Sequence, residues 1–173
     1  MNGRKFLITG GIKSGKSDYA LKIGGSAPGE KFFVATAQPL DKEMRLRIEK
    51  HKLSRSDKWK TIEEPRDISG TLGRGESGVF LIDCLTVWTS NLLINTEEEK
   101  FREETRRLAE AIQNFKGTVI LVTNEVGLGI IPANAQSRMY GDRLGLLNQE
   151  MAAICDEVIM LVAGLPIVIK GTK

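Results

Sequence analysis

A chain of 173 residues, 41% hydrophobic and 27% charged, has the length of one domain and enough apolar material for a core, which excludes a disordered or collagen-like chain. Lys and Arg number 25 against 22 acids, and a formal charge of +3 is too small an excess to imply nucleic acid or an anionic membrane as partner. The first residues hold only a short apolar run, Phe6 to Ile8, and no stretch approaches the roughly 20 apolar residues of a membrane span. A cytoplasmic protein with no leader and no anchor is therefore expected. Cys84 and Cys155 lie far apart, outside any C-x-x-C, and read as reduced thiols rather than as a disulfide or metal ligands.

Short apolar runs alternate with helical stretches. Lys5 to Thr9 reads as a strand, followed by a glycine-rich turn and a helix from Ser17 to about Ile23. Lys31 to Thr36 is a second strand. Asp41 to Lys52 predicts a helix in which Asp41 caps and Met44, Ile48 and His51 share a face. Leu53 to Ser77 is polar and mixed, and predicts irregular chain with a short helix. Val79 to Asp83 is a near-continuous apolar run, as expected of a strand covered on both faces. Thr86 to Leu93 follows as a helix.

Thr96 and Glu99 form a capping box for an amphipathic helix reaching about Phe115, with Phe101, Leu108, Ile112 and Phe115 as its apolar stripe. Glu98 with Arg102, and Glu103 with Arg107, are favourable i,i+4 pairs on its solvated face. Gly117 is the expected stop. Thr118 to Thr123 is a strand, 127–134 a Gly/Pro loop, and Tyr140 to Ile154 an amphipathic helix. Glu157 to Val162 is a strand, and Leu165 and Pro166 turn the chain into a last strand, Ile167 to Lys170. That connection is too short for a parallel crossover, so this pair is an antiparallel hairpin. The alternation predicts an α/β fold with a mostly parallel sheet and helices on both faces.

Gly10-Gly11-Ile12-Lys13-Ser14-Gly15-Lys16-Ser17 matches G-x-x-x-x-G-K-[ST] in full, after a strand and before a helix. Glycines let backbone N–H groups turn inward around phosphate oxygens, and the helix N-terminus adds a favourable dipole. Lys16 neutralises the β and γ oxygens, and Ser17 is a candidate Mg²⁺ ligand. The bland alternative is a glycine-rich turn carrying an exposed lysine. Asp83 ends its strand where a Walker-B acid belongs, or caps the following helix. Glu125 reaches the same sheet edge, or caps its own loop.

Thr123-Asn124-Glu125-Val126 stands where a switch GTPase carries N-K-x-D, and the lysine and aspartate are missing. Basic residues are dispersed and no aromatic interleaves with them as a base-stacking platform would, so a nucleic-acid motor has no footprint. His51, the single histidine, reads first as a half-buried helix residue near a C-terminus. Its neutral imidazole is also the side chain best suited to attack phosphorus near neutral pH.

Thr9 to Ser17 (TGGIKSGKS), Ala35 to His51 (ATAQPLDKEMRLRIEKH) and Val122 to Pro132 (VTNEVGLGIIP) together resemble the bifunctional adenosylcobinamide kinase/adenosylcobinamide-phosphate guanylyltransferases of cobalamin biosynthesis. The resemblance runs from the first strand to the final hairpin. It implies a RecA-like P-loop fold, a cytoplasmic homo-oligomer (a trimer in that family) and two reactions. The first phosphorylates adenosylcobinamide with a nucleoside triphosphate, ATP or GTP. The second moves GMP from GTP onto that phosphate, releasing pyrophosphate.

The resemblance also implies that His51 carries GMP covalently, with Lys16 as the other catalytic residue. Nucleotide contacts are implied for Gly10, Gly11, Ile12, Lys13, Ser14, Gly15, Lys16 and Ser17, for Thr36, Ala37 and Gln38, and for Lys52, Leu53, Ser54, Arg55, Glu63 and Asp83. Ser17 and Asp83 would hold Mg²⁺. Related sequences often have two adjacent histidines where this chain has Lys50-His51. Arg138 and Arg143 are candidates, from charge alone, to reach a neighbouring subunit's phosphates, or else form a partly buried helix surface. A single-activity small-molecule kinase and a partner-coupled P-loop ATPase are the other readings of the same cradle.

Overall fold

The computed structural model describes residues 3–53, 56–75, 77–93 and 97–171. Its elements in chain order are β1 (Lys5–Gly10), α1 (Lys16–Ser26), β2 (Lys31–Ala35), α2 (Lys42–Leu53), β3 (Trp59–Glu63), α3 (Ile68–Arg74), β4 (Val79–Asp83), α4 (Leu85–Leu93), α5 (Glu98–Asn114), β5 (Thr118–Val122), α6 (Ala135–Ile154), β6 (Glu157–Val162) and β7 (Leu165–Lys170). The strands form one sheet in the order β3-β2-β4-β5-β1-β6-β7. All pair in parallel except β7, which runs antiparallel to β6. The expected α/β architecture with a closing hairpin is observed.

The period of two along each strand divides the core into two layers. Leu7, Phe80, Ile82, Val119 and Leu121 face a cluster supplied by α3, α4, α5 and α6. Phe6, Ile8, Val79, Leu81, Ile120 and Val122 face the opposite cluster, where α1 contributes Ala20 and β3 contributes Trp59. Covering on both faces is why β1, β4 and β5 read as apolar runs rather than as alternating patterns. Phe101, Leu108, Ile112 and Phe115 are all buried, as the periodicity of α5 predicts.

Several local expectations are corrected. The segment read as irregular contains β3 as well as the short helix α3. β3 is an edge strand with one neighbour, and of its five residues only Trp59 is buried, so it carries no apolar run. Thr96 lies outside the described residues; α5 starts at Glu98 behind Glu97, whose side chain makes no cap bond. The helix ends at Asn114, with Phe115 as its cap, two residues before Gly117. Arg107 pairs with Glu104 at 3.0 Å rather than with Glu103, which is taken by Arg106 at 2.7 Å.

The hairpin turn is Ala163–Gly164, both with positive φ (49° and 83°), and Leu165 and Pro166 already pair with Val162 and Leu161. Two central residues of positive φ match the right-handed twist of the strands. Pro166 is tolerated because β7 is the sheet's outer edge.

Candidate nucleotide site

β1 ends in the glycine-rich loop, and α1 begins at Lys16, so the chain turns back on itself within five residues. Gly10 has φ 142°, and a Cβ there would lie 2.4 Å from the Leu161 carbonyl oxygen on β6. Gly15, the residue before the helix, has φ 92°. Both conformations disfavour a side chain, and both let the loop curl over the end of the sheet. The loop is braced from outside: Gly164 N–H donates to Ser14 O at 3.1 Å and Glu125 N–H to Gly10 O at 3.1 Å.

Lys16 is buried, 8% exposed, and its Nζ donates to Gly11 O at 2.5 Å and to Ser14 Oγ at 3.4 Å. The ammonium is thus held inside the ring of the loop, not extended into solvent as the bland alternative requires. Burial pushes it below the usual lysine range, opposed by the nearby Cys84 and Asp83. Asp83 therefore lies close enough to act on Lys16 electrostatically. The Ser17 hydroxyl is half-exposed at the helix start and takes no partner among the described residues. One hydroxyl and one carboxylate beside a phosphate cradle fit Mg²⁺, whose other positions phosphate oxygens and water would fill. Among the described residues no group of three or more His, Cys, Asp or Glu could hold a metal by itself.

Thr36, at the end of β2, is fully buried and committed to the adjoining chain. Its hydroxyl donates to Cys84 O (2.9 Å) and accepts from Cys84 N–H (2.8 Å), while Asn91 Nδ2 donates to Thr36 O (2.8 Å). Thr36 thus locks the ends of β2 and β4 together and aims Ala37 and Gln38, both half-buried, along the C-terminal sheet edge. Sequence reasoning does not find Asn91; its one signal is an amide within an otherwise apolar helix, LTVWTSNLL.

His51 is exposed rather than half-buried. It lies in the last turn of α2, a helix in which none of the described side chains is buried. Lys52 Nζ pairs with Glu63 Oε1 at 2.6 Å, and Glu63 closes β3. The last turn of α2 is therefore held within a side chain's length of the C-terminal edge of the sheet, the edge that carries the P-loop. β2 and β1 are three strand spacings apart, about 14 Å, the scale of an extended nucleoside triphosphate. The Leu53 side chain, Ser54 and Arg55 lie outside the described residues.

Three other candidates find partners within the chain. Glu125 Oε1 accepts from Gly127 N–H at 2.9 Å, the loop-capping arrangement. Arg143 is buried, its Nε donates to Glu98 Oε2 at 2.8 Å, and its guanidinium lies over the Phe101 ring. It braces α6 to α5 and does not reach outward toward a neighbouring subunit. Arg138 is exposed and donates to the carbonyls of Pro132 and Ala133. A shallow groove of about 370 Å³ beside these arginines lies along α6, away from the P-loop.

The family model described as cobinamide kinase / cobinamide phosphate guanyltransferase matches residues 6–169. The chain belongs to that family. It is 41% identical over 167 residues to the bifunctional adenosylcobalamin biosynthesis protein CobP of Pseudomonas aeruginosa, covering 95% of this chain and 96% of that one. It is 37% identical over 179 residues to the bifunctional protein CobU of Salmonella typhimurium, covering 95% and 98%. Among solved structures, an ATPase domain superposes with a TM-score of 0.55 at 12% identity, covering 97% of this chain and 77% of that one. That likeness shows the RecA-like P-loop fold, while the full-length sequence matches place the chain among the cobinamide enzymes. Among the described residues no helix is long and apolar enough to cross a membrane.

Proposed function

We propose that the protein phosphorylates the aminopropanol hydroxyl of adenosylcobinamide with a nucleoside triphosphate, and then transfers GMP from GTP onto that phosphate through His51. The observation that carries this reading is the placement of the single histidine. It is exposed, on a helix end tied to the same sheet edge as a complete phosphate cradle. The family match supports both activities.

In the phosphorylation step, the amides of Gly10 to Ser17 and the Lys16 ammonium hold the polyphosphate while the acceptor hydroxyl attacks the γ-phosphorus. Catalysis there is positioning and charge neutralisation. Mg²⁺, when held by Ser17 and Asp83, supplies further neutralisation of the phosphate oxygens. In guanylyl transfer, neutral His51 attacks the α-phosphorus of GTP and pyrophosphate departs, its charge met by Lys16. The acceptor phosphate then displaces GMP from His51. Two displacements allow one well-placed nucleophile to serve, and predict ping-pong kinetics. Ala37, Gln38, Lys52 and Glu63, with Leu53, Ser54 and Arg55 by family resemblance, contribute contacts to the nucleoside, and Thr36 positions Ala37 and Gln38.

The working form is proposed to be a cytoplasmic homo-oligomer, a trimer by family resemblance. All six residues of β7 are exposed, Leu165, Ile167, Val168 and Ile169 among them, and an apolar open edge strand calls for a cover. Light scattering after size exclusion gives the subunit number. The activity is tested by supplying adenosylcobinamide with ATP alone, with GTP alone and with both. Accumulation of the phosphorylated acceptor under ATP, and of adenosylcobinamide-GDP only when GTP is present, is the expected result. Hydrolysis of nucleotide without any modified corrinoid would overturn the reading in favour of a partner-coupled ATPase.

A further inference from the structure

The two proposed reactions differ in what their acceptors need. A phosphate monoester is already an anion and attacks without losing a proton. An alcohol must lose one as its oxygen bonds to phosphorus, and gains from a base beside it. Of the residues placed in the cradle so far only Asp83 is a carboxylate, and it is assigned to Mg²⁺.

Glu125 occupies the place. β5 lies between β1 and β4 in the sheet, so the chain leaving β5 emerges between the P-loop and Asp83. Asp83 and Ile8 are level with Val122 in the register. Glu125 stands three residues beyond Val122, and its N–H bonds to Gly10 O. Asp83 is therefore beneath the loop, beside Lys16, whereas the Glu125 backbone is level with the loop's first residue.

The surroundings of Glu125 are fixed. Asn124 N–H donates to Thr86 Oγ1 at 2.7 Å, Asn148 Nδ2 donates to Asn124 O at 3.1 Å, and Thr123 Oγ1 donates to Asn148 Oδ1 at 2.8 Å. Glu125 is half-buried as a residue; its carboxylate accepts at Oε1 from Gly127 N–H in an exposed bond and is paired with no cation among the described residues. Oε2 is left to face other chemistry. Two of these contacts pin the Asn124 backbone and the third its neighbour Thr123, and the Glu125 N–H is itself bonded to Gly10 O, so the carboxylate stands on the preorganised backbone that a reacting group requires.

We propose that Glu125 is the general base of the phosphorylation step, a role that rests on the kinase reading above. The acceptor O–H breaks and its proton goes to Glu125 Oε2. The freed pair forms the new O–P bond, and the bond from the γ-phosphorus to the bridging oxygen breaks toward the nucleoside diphosphate. Guanylyl transfer makes no use of Glu125.

Glu125→Gln tests this in the full chain, because the amide keeps an oxygen for Gly127 N–H and removes only the basic oxygen. Wild type and variant are assayed for phosphorylation of adenosylcobinamide by ATP, and separately for transfer from α-labelled GTP to adenosylcobinamide phosphate. The expected result is a fall in kcat for phosphorylation of roughly 10²–10⁴-fold. The acceptor KM and the guanylyl transfer rate stay within about threefold. Unchanged phosphorylation, or a parallel fall in both reactions (the mark of a loop brace), would overturn the assignment. A wild type that phosphorylates no corrinoid would sink the kinase reading itself. An active wild type with an equally active variant sinks the base alone.

Discussion

The P-loop and the helix that carries His51 share one edge of the sheet but are built in opposite ways. Around the loop, Thr36, Ser14, Lys16 and Thr123 are buried, and the backbone is bonded to β5, β6 and the hairpin turn. Along α2 none of the described side chains is buried, and the ion pairs Arg47–Glu43 and Lys52–Glu63 are exposed. A phosphate cradle gains from rigidity because its donors must stand where charge develops. A nucleophile that must approach one phosphorus and leave room for another acceptor gains from a helix that can shift without opening the core. In the proposed mechanism the contrast follows the division of labour between holding a nucleotide and exchanging part of it.

Substitutions on the rigid side should have the larger effects. Lys16→Met should lower both reaction rates by roughly 10³-fold or more, read in the two separate assays. The same variant should not melt earlier than wild type. Burial depresses the Lys16 pKa, so its charge destabilises the fold at neutral pH, and that penalty fades as pH rises through the lysine range. The Tm of Lys16→Met is therefore equal or higher at pH 7, and the difference narrows toward about pH 10. A variant that is both inactive and much less stable would mean that the lysine is a structural strut.

Gly10→Ala combines φ 142° with a Cβ 2.4 Å from Leu161 O, and should lose about 2–4 kcal/mol in urea unfolding. On the other side of the contrast, Lys52→Ala removes an exposed ion pair and should lower stability by less than about 1 kcal/mol. It should nevertheless slow GMP loading more than phosphorylation, because besides a nucleoside contact it removes the tie that holds the His51 end of α2 to β3. Equal slowing of both reactions would erase the distinction. The smallest effect is on the thiols. Burial, reinforced by the Asp83 carboxylate, pushes Cys84 up to about 12, and burial does the same for Cys155. Neither should react with iodoacetamide at about pH 8 until the protein is unfolded.

The cradle and the paired layers are legible in the sequence because both rest on strong local signals: a full phosphate motif, and apolar runs that only doubly covered strands require. β3 is hidden because an edge strand with one buried residue has too little alternation to register. Arg143 resembles a surface charge because the Glu98 and Phe101 that bury it come from another helix, far away in the chain. The polar braces Thr86, Asn91 and Asn148 are hidden for the same reason. Each is a hydrophilic position on a helix with an apolar face, and its partner is a backbone group that only the fold brings near. His51 stands out as the chain's one histidine, but its apparent face with Met44 and Ile48 does not pack against the core, so periodicity alone overstates its burial.

The exchange of GMP through an exposed imidazole is tested most directly by trapping it. The protein is incubated with GTP labelled at the α-phosphorus, denatured, and separated from free nucleotide. The account predicts retained label that is acid-labile and base-stable, absent from His51→Ala, with the variant still phosphorylating adenosylcobinamide. Unlabelled wild type that still consumes GTP and forms adenosylcobinamide-GDP would contradict it, because the transfer would then be direct.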